Sequence, residues 1–358
     1  MRKLATIQRI DDIKPIEGKD RIGLATIKGW QVIVQKADYD PGDLCIYVEI
    51  DSVMPEEPEF EFLRSKNFRI RTMKMAGYIS QGICFPLSIL PVRAAGYAVD
   101  DDVTELLGVK QYAPTMDTEA NTISQPKKKY PRWLMRFKLF RRLIGVKKRS
   151  TNTFPDFLEK TDEPRIQNVP VMLQDKEPHV VTEKIDGCSA TYALVRHKRV
   201  LLRDKYEFLV CSRNLTLRTE DGSIYWQVAV KYDIEKKLKG MIGNRDWIAI
   251  QGECIGPKIQ GNKYHVSEAR FFVFNVITPM GRMGSVNARD YVGTRDLDFV
   301  PILDKRYTLP DTVQEMLEYA HGKSKLCDTL REGVVIRSQD GTKSFKAVDP
   351  EFLLKHGE

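Results

Sequence analysis

The stretch Val181-Thr182-Glu183-Lys184-Ile185-Asp186-Gly187 carries an apolar, β-branched run into a lysine that stands one residue before Asp-Gly. Such a run reads as a strand, and Asp-Gly reads as the turn that ends it. A lysine at that point can face a cleft instead of bulk water. Its amine attacks an electrophile only when uncharged, and an ordinary pKa of about 10.4 forbids that at neutral pH. A site that used Lys184 would have to lower that pKa through neighbouring cations, a metal or burial. Asp186 opposes this unless it is engaged elsewhere. Lys-x-Asp-Gly alone decides little, since average usage gives it by chance in roughly one chain of this size in ten.

The order of the downstream runs decides more. They are Cys211-Ser212-Arg213-Asn214, Gln251-Gly252-Glu253, Arg270-Phe271-Phe272-Val273-Phe274-Asn275-Val276, Arg331-Glu332-Gly333-Val334-Val335-Ile336-Arg337 and Ser344-Phe345-Lys346. Glu253 lies 69 residues after the lysine (253 − 184), Glu332 148 after (332 − 184) and Lys346 162 after (346 − 184). From about Thr161 to the C-terminus this series resembles the collinear motifs shared by ATP-dependent DNA ligases, RNA ligases and mRNA capping enzymes, the nucleotidyltransferases. The resemblance implies that Lys184 attacks the α-phosphate of ATP and becomes lysyl-AMP. It implies that Lys346 holds the α-phosphate and helps depress the pKa of Lys184. Glu332 would bind a divalent metal, Mg2+ or Mn2+, because phosphoryl transfer needs phosphate charge neutralised. Glu253 would accept from the ribose hydroxyls, and Phe274, with Phe272 on the same strand face, would stack on adenine. Arg213 would meet phosphates, Glu183 would lie near the adenine edge, and Asp186 and Gly187 would complete the ATP site. Plainer readings stand beside these: Phe272 and Phe274 as core residues, Arg213 and Arg218 as surface cations. The chain departs from the family pattern at three points. Ser344 occupies a position where the family often has lysine, with Lys343 as partial compensation. Asn275 follows Phe274 where aspartate is common, and Cys188-Ser189 follows Gly187 where arginine or asparagine is frequent.

Composition sets the frame. A chain of 358 residues favours two domains, and 42% hydrophobic with 30% charged residues describes a globular protein. No apolar run approaches the roughly 18 residues of a membrane span, and the first residues do not read as a signal peptide. Cys45, Cys84, Cys188, Cys211, Cys254 and Cys327 are scattered without a C-x-x-C pair, and the five histidines are dispersed. Disulfide and structural zinc readings are therefore poor, and a reducing cytoplasm is expected. The net charge of +8 is local. Residues 126–149 hold eleven Lys or Arg and no acid, so the remainder carries 8 − 11 = −3. Such a segment suits a phosphate backbone, with a solvated helix face as the plainer alternative.

The expected fold class is α+β: an N-terminal OB-type β-barrel over residues 1–110, a linker with a basic amphipathic helix over 111–153, and an adenylyltransferase domain over 154–358. Ala5-Thr6-Ile7, residues 22–27, Trp30–Val34 and Leu44–Val48 read as strands, and so does Phe68–Met73, whose Arg69 and Arg71, with Lys74, read either as an RNA-binding face or as solvated arginines on a structural barrel. In the linker, Trp133, Phe137, Phe140 and Ile144 form an apolar stripe. Arg132, Arg136, Arg141 and Arg142 are the candidate RNA contacts there, and a membrane-surface helix is the competing reading. Residues 256–263 mimic a P-loop but lack its Lys-Ser/Thr ending, and are read as a loop beside the Glu253 strand. Twelve residues come after Lys346, where DNA ligases and capping enzymes generally carry their OB domain. With the run Lys160-Thr161-Asp162-Glu163-Pro164-Arg165-Ile166-Gln167-Asn168, this order is similar to the Deinococcus-type RNA ligase family over nearly the whole chain. That likeness implies a monomeric enzyme joining a 3′-hydroxyl to a 5′-phosphate end, in RNA or at a nick in a duplex with an RNA 3′-OH end, for RNA repair. A non-catalytic RNA- or tRNA-binding OB protein, and a DNA ligase or capping-type enzyme, are the alternatives.

Overall fold

In the computed structural model, which describes residues 3–91, 96–112, 153–199, 203–217 and 222–357, the N-terminal part is a small barrel. Its strands are β1 (Ala5–Arg9), β2 (Asp12–Ile16), β3 (Lys19–Ile27), β4 (Trp30–Gln35), β5 (Leu44–Val48), β6 (Ser52–Val53), β7 (Met73–Met75), β8 (Tyr78–Ser80), β9 (Ile83–Phe85) and β10 (Lys110–Gln111). They pair as β1-β5-β9, β2-β3-β4, β7-β8 and β10-β6. The alternating burial of Trp30–Gln35 turns Trp30, Val32 and Val34 inward, where they join Ile7, Ile46, Phe60 and Phe85 in one core. The strand expected over Phe68–Met73 does not form. Asn67 and Phe68 have φ of 53° and 56°, which breaks an extended run, and only Arg69 bridges to Val53.

The rest of the chain is two antiparallel sheets with helices outside them. The strands are β11 (His179–Lys184), β12 (Cys188–His197), β13 (Lys205–Cys211), β14 (Thr216–Leu217), β15 (Trp247–Ile255), β16 (Arg270–Thr278), β17 (Gly281–Arg282), β18 (Asp298–Phe299), β19 (Ile302–Tyr307), β20 (Gly333–Ser338) and β21 (Ser344–Val348). One sheet runs β19-β11-β20-β21; the other runs β14-β13-β12-β15-β16-β17, with β18 parallel to β16. Helices α1 (Ile224–Lys231), α2 (Ile234–Ile242) and α3 (Ser285–Gly293) share a core with the larger sheet. Helix α4 (Val313–Ala320), opened by a Thr312/Glu315 capping box, packs Met316, Leu317 and Ala320 on Val181, Val334, Ile336, Phe345 and Ala347 of the smaller sheet. Helix α5 (Pro350–His356) closes the described chain. Side chains alternate across a strand, so burying Val181, Val334 and Ala347 under α4 turns Thr182, Lys184, Val335 and Lys346 to the opposite face. That face looks into a cleft.

The barrel is bolted to this unit by the run that ends in Arg165-Ile166-Gln167-Asn168. Trp30 Nε1 donates to Asn168 Oδ1 at 2.7 Å, Asn168 Nδ2 donates to Glu49 Oε1 at 2.7 Å, and Arg165 Nη2 donates to Asp51 Oδ2 at 3.0 Å. Val348 and Leu353 belong to the barrel core, so the C-terminal end of the chain also packs against it.

Candidate functional site

Register explains how residues 148 positions apart meet. Lys184 ends β11 opposite Gly333, the first residue of β20, which places Glu332 beside the lysine. Gly333 has φ of 156°, and a Cβ there would run into the backbone of Ala347 and Val348. Gly187 is similarly forced, since a Cβ would strike the carbonyl of Cys254. Lys184 Nζ donates to Glu332 Oε2 at 2.6 Å. Glu253, on β15 opposite Ser189, and Lys346, on β21 opposite Val335, complete the group. The cleft that holds them measures about 1130 Å³.

The electrostatics differ from expectation at the lysine itself. Burial works to lower its pKa, but Glu332, Glu253 and Asp186 outweigh it, and the amine is held above its ordinary value. Lys184 is a charged, ion-paired group. Lys346 goes the other way. Burial pushes it down to about 8, with Asp162 opposing and Arg165 and Lys184 adding to the fall. Burial pushes Glu253 up to about 8, against the pull of Lys184.

The remaining candidates fall into place unevenly. Phe274 lines the cleft, whereas Phe272 is 3% exposed, with the Arg270 guanidinium 4.7 Å from its ring centre. Arg213 lines the cleft and pairs with Asp162 at 3.2 Å; Lys346 Nζ meets the same Asp162 oxygen at 3.0 Å. Glu183 is 1% exposed, and its carboxylate is engaged by the Ser324 hydroxyl and the Lys325 N–H, which makes it an anchor for that loop. Asp186 lines the cleft and is ion-paired with Lys263, a residue of the P-loop mimic. Lys343 does not stand in for a lysine at position 344, because it is exposed and pairs with Asp175 at 2.8 Å. Arg282 Nη1 donates to Ser344 Oγ at 3.1 Å instead.

Arg69 and Arg71 are not openly exposed. Arg69 is 8% exposed, 3.5 Å from Asp51, with its guanidinium 3.5 Å from the Tyr112 ring centre, and it lines the cleft. The backbone turn at Asn67 and Phe68 rotates it inward. Arg71 is half-buried, with its Nε shut away from solvent near the C-terminal end of the chain. The basic segment with Arg132, Arg136, Arg141 and Arg142 lies outside the described residues, as does Arg218. Linear patterns assign no role to Asp162, Arg165, Lys263 or Arg337. The first two sit in a run that carries only a family likeness, and Lys263 sits in a loop that lacks the P-loop chemistry it imitates.

Residues 4–87 match an OB-fold domain family, and residues 177–350 match the RNA ligase family. Among solved structures, Naegleria gruberi RNA ligase with pyrophosphate is 30% identical, with TM-score 0.80, over 100% of this chain and 99% of that one. The chain belongs to the RNA ligase family. A glutamate-to-alanine form of the Naegleria enzyme with ATP and Mn is 29% identical, with TM-score 0.81, over 100% of both chains. Another, with AMP and Mn, is 29% identical, with TM-score 0.80, over 99% of both. No curated protein sequence matches this ligase. Among its described residues, no helix is long and apolar enough to cross a membrane.

Proposed function

We propose that this RNA ligase uses ATP to join an RNA 3′-hydroxyl end to a 5′-phosphate end through three displacements at phosphorus. Lys184 Nζ, having given up a proton, bonds to the α-phosphorus, and pyrophosphate leaves. An oxygen of the RNA 5′-phosphate then displaces the lysine and takes the AMP. Finally the 3′-hydroxyl attacks the 5′-phosphorus, AMP leaves and a phosphodiester remains. The observation that carries this reading is the convergence of Lys184, Glu332, Glu253 and Lys346 in one cleft, with Lys184 and Glu332 2.6 Å apart. Naegleria enzyme structures with ATP, AMP, pyrophosphate and Mn support it.

The residues have distinct work. Glu332, ion-paired with Lys184 at 2.6 Å, holds the resting amine charged, so the proton leaves only when that charge is offset. Lys346 supplies a cation for charge that builds on the α-phosphate. Phe274 offers an aromatic face on which adenine stacks, Glu253 an acceptor for the ribose, and Arg213 a donor for phosphates. The carboxylate oxygens of the cleft suit a hard cation, and no set of three metal-binding side chains converges among the described residues. That fits Mg2+ or Mn2+ held through one or two carboxylates, Glu332 first, with phosphates completing the shell. Such an ion supplies neutralisation of phosphate oxygens.

The domain division into 1–110, 111–153 and 154–358, a cytoplasmic monomer, a nicked duplex as substrate and a role in RNA repair belong to the same proposal. An RNA-binding protein without catalysis would have no use for an intact lysine–glutamate pair at the end of β11. The experiment is incubation with α-labelled ATP and Mg2+ or Mn2+, followed by denaturing electrophoresis. Wild type should carry acid-labile label and Lys184→Ala none. Label that persists in the alanine variant overturns the assignment.

A further inference from the structure

The loop that imitates a P-loop is built around an unusual backbone. Gln260, Asn262 and His265 all have positive φ, at 45°, 51° and 52°, with Gly261 at 66° among them. Three non-glycine residues in the left-handed region within six positions are held only where the surroundings demand it, and such strain clusters at working sites. The surroundings here are explicit. Asn262 Nδ2 donates to the Val266 carbonyl at 3.0 Å, Val266 N–H donates back to Asn262 Oδ1 at 3.0 Å, and His265 N–H donates to the Asn262 carbonyl at 2.9 Å.

This corner delivers a pair of side chains to the turn after the nucleophile. The Tyr264 hydroxyl accepts the main-chain N–H of Asp186 at 2.7 Å, while its ring packs among Ile185, Phe272 and Val300. The Lys263 ammonium pairs with the Asp186 carboxylate and sits 4.9 Å from the Phe352 ring centre on α5. Both partners of the pair are close to nine-tenths buried, at 13% and 11% side-chain exposure. A buried ion pair is a weak source of stability, and one partner left alone is costly, so its use lies in fixing geometry. Asp186 lines the cleft two residues from Lys184. Asp186 is already one of three acids acting on the Lys184 ammonium, and the paired Lys263 cation fixes its carboxylate there and offsets its charge.

We propose that Lys263 is a positioning residue for nucleotidyl transfer to Lys184, acting through Asp186, whose carboxylate it fixes and offsets in charge beside the nucleophile. This rests on the proposed reaction with ATP. The test is the rate of single-turnover labelling by α-labelled ATP in the full chain, for wild type, Lys263→Met, Lys263→Arg, Asp186→Asn and the Lys263→Met/Asp186→Asn double variant. Lys263→Met should slow labelling by about tenfold or more, with the half-saturating ATP concentration changed less than about threefold, and Lys263→Arg should restore most of the rate. On the Asp186→Asn background the methionine should cost less than about twofold, because its partner is already gone. Tyr264→Phe keeps the packed ring but removes the acceptor of the Asp186 N–H, and should slow labelling at unchanged half-saturation. An equal loss from Lys263→Met on both backgrounds, or a wild-type rate in Lys263→Met, overturns the role of Lys263 while leaving the ligase reading intact. A wild type that takes no label overturns both.

Discussion

Replacing Glu253 with Gln tests whether the cleft stores an uncharged acid before ATP arrives. Burial raises the Glu253 carboxyl from an ordinary 4.5 to about 8. Below pH 4.5 the folded and unfolded chains both keep this proton, and glutamine and glutamic acid are close to equivalent. Between 4.5 and 8 the unfolded chain ionises while the folded one does not, so the folded state binds more protons and stability falls as pH rises. Above 8 both forms are ionised and the loss is constant. The span is 8 − 4.5 = 3.5 units, or a ceiling of about 5 kcal/mol at ~1.4 kcal/mol per unit. The carboxylate opens on a water-accessible cleft, which screens it, so the expected change is about half that, ~2–3 kcal/mol. Glutamine does not titrate, and the difference between the two proteins cancels the titrating groups that do not interact with Glu253. Urea unfolding of both ligand-free proteins at several pH values from 5.5 to 8.5 reads it directly. The advantage of Glu253→Gln should grow steadily with pH and level off above 8. A difference constant across that range would mean that Glu253 is already ionised, and would refute the reasoning.

Other substitutions separate chemistry, assembly and RNA binding. Glu332→Gln keeps the shape and removes the charge, so labelling by α-labelled ATP should be nearly lost at every Mg2+ or Mn2+ concentration; near-normal rates would rule Glu332 out as a metal ligand. Asp51→Ala strips the partner from Arg165 and Arg69, both buried, and urea unfolding should show a loss of roughly 3 kcal/mol, as for a broken buried pair; no change would mean that the seam does not depend on it. Changing Arg132, Arg136, Arg141 and Arg142 together to Ala should spare lysyl-AMP formation and impair sealing. Each lost phosphate contact should flatten the log–log salt slope of RNA binding by about 0.7 to 0.9. Equal loss of both activities would make the segment structural.

The chemistry-bearing residues and their order are legible in the linear chain. Lys184 is readable because a β-branched run before Lys-x-Asp-Gly leaves a local mark, and Glu253, Glu332 and Lys346 are readable because their ordered runs resemble the nucleotidyltransferase motifs. The barrel strands Ala5–Arg9, Trp30–Gln35 and Leu44–Val48 are legible for the same reason, since a two-residue period is a local pattern. Which charges meet is a property of the folded sheets alone. The pairing of β11 with β20 brings Glu332 onto Lys184 and raises a pKa that the sequence suggests should fall. Two positive-φ residues, Asn67 and Phe68, turn an apparent basic strand into a bend and send Arg69 into the cleft. Lys263 reaches Asp186 across 77 positions, the difference between 263 and 186, through a left-handed corner. Ion pairs, burial and backbone handedness depend on neighbours distant in the chain, and a linear pattern carries no record of them until the sheets are formed.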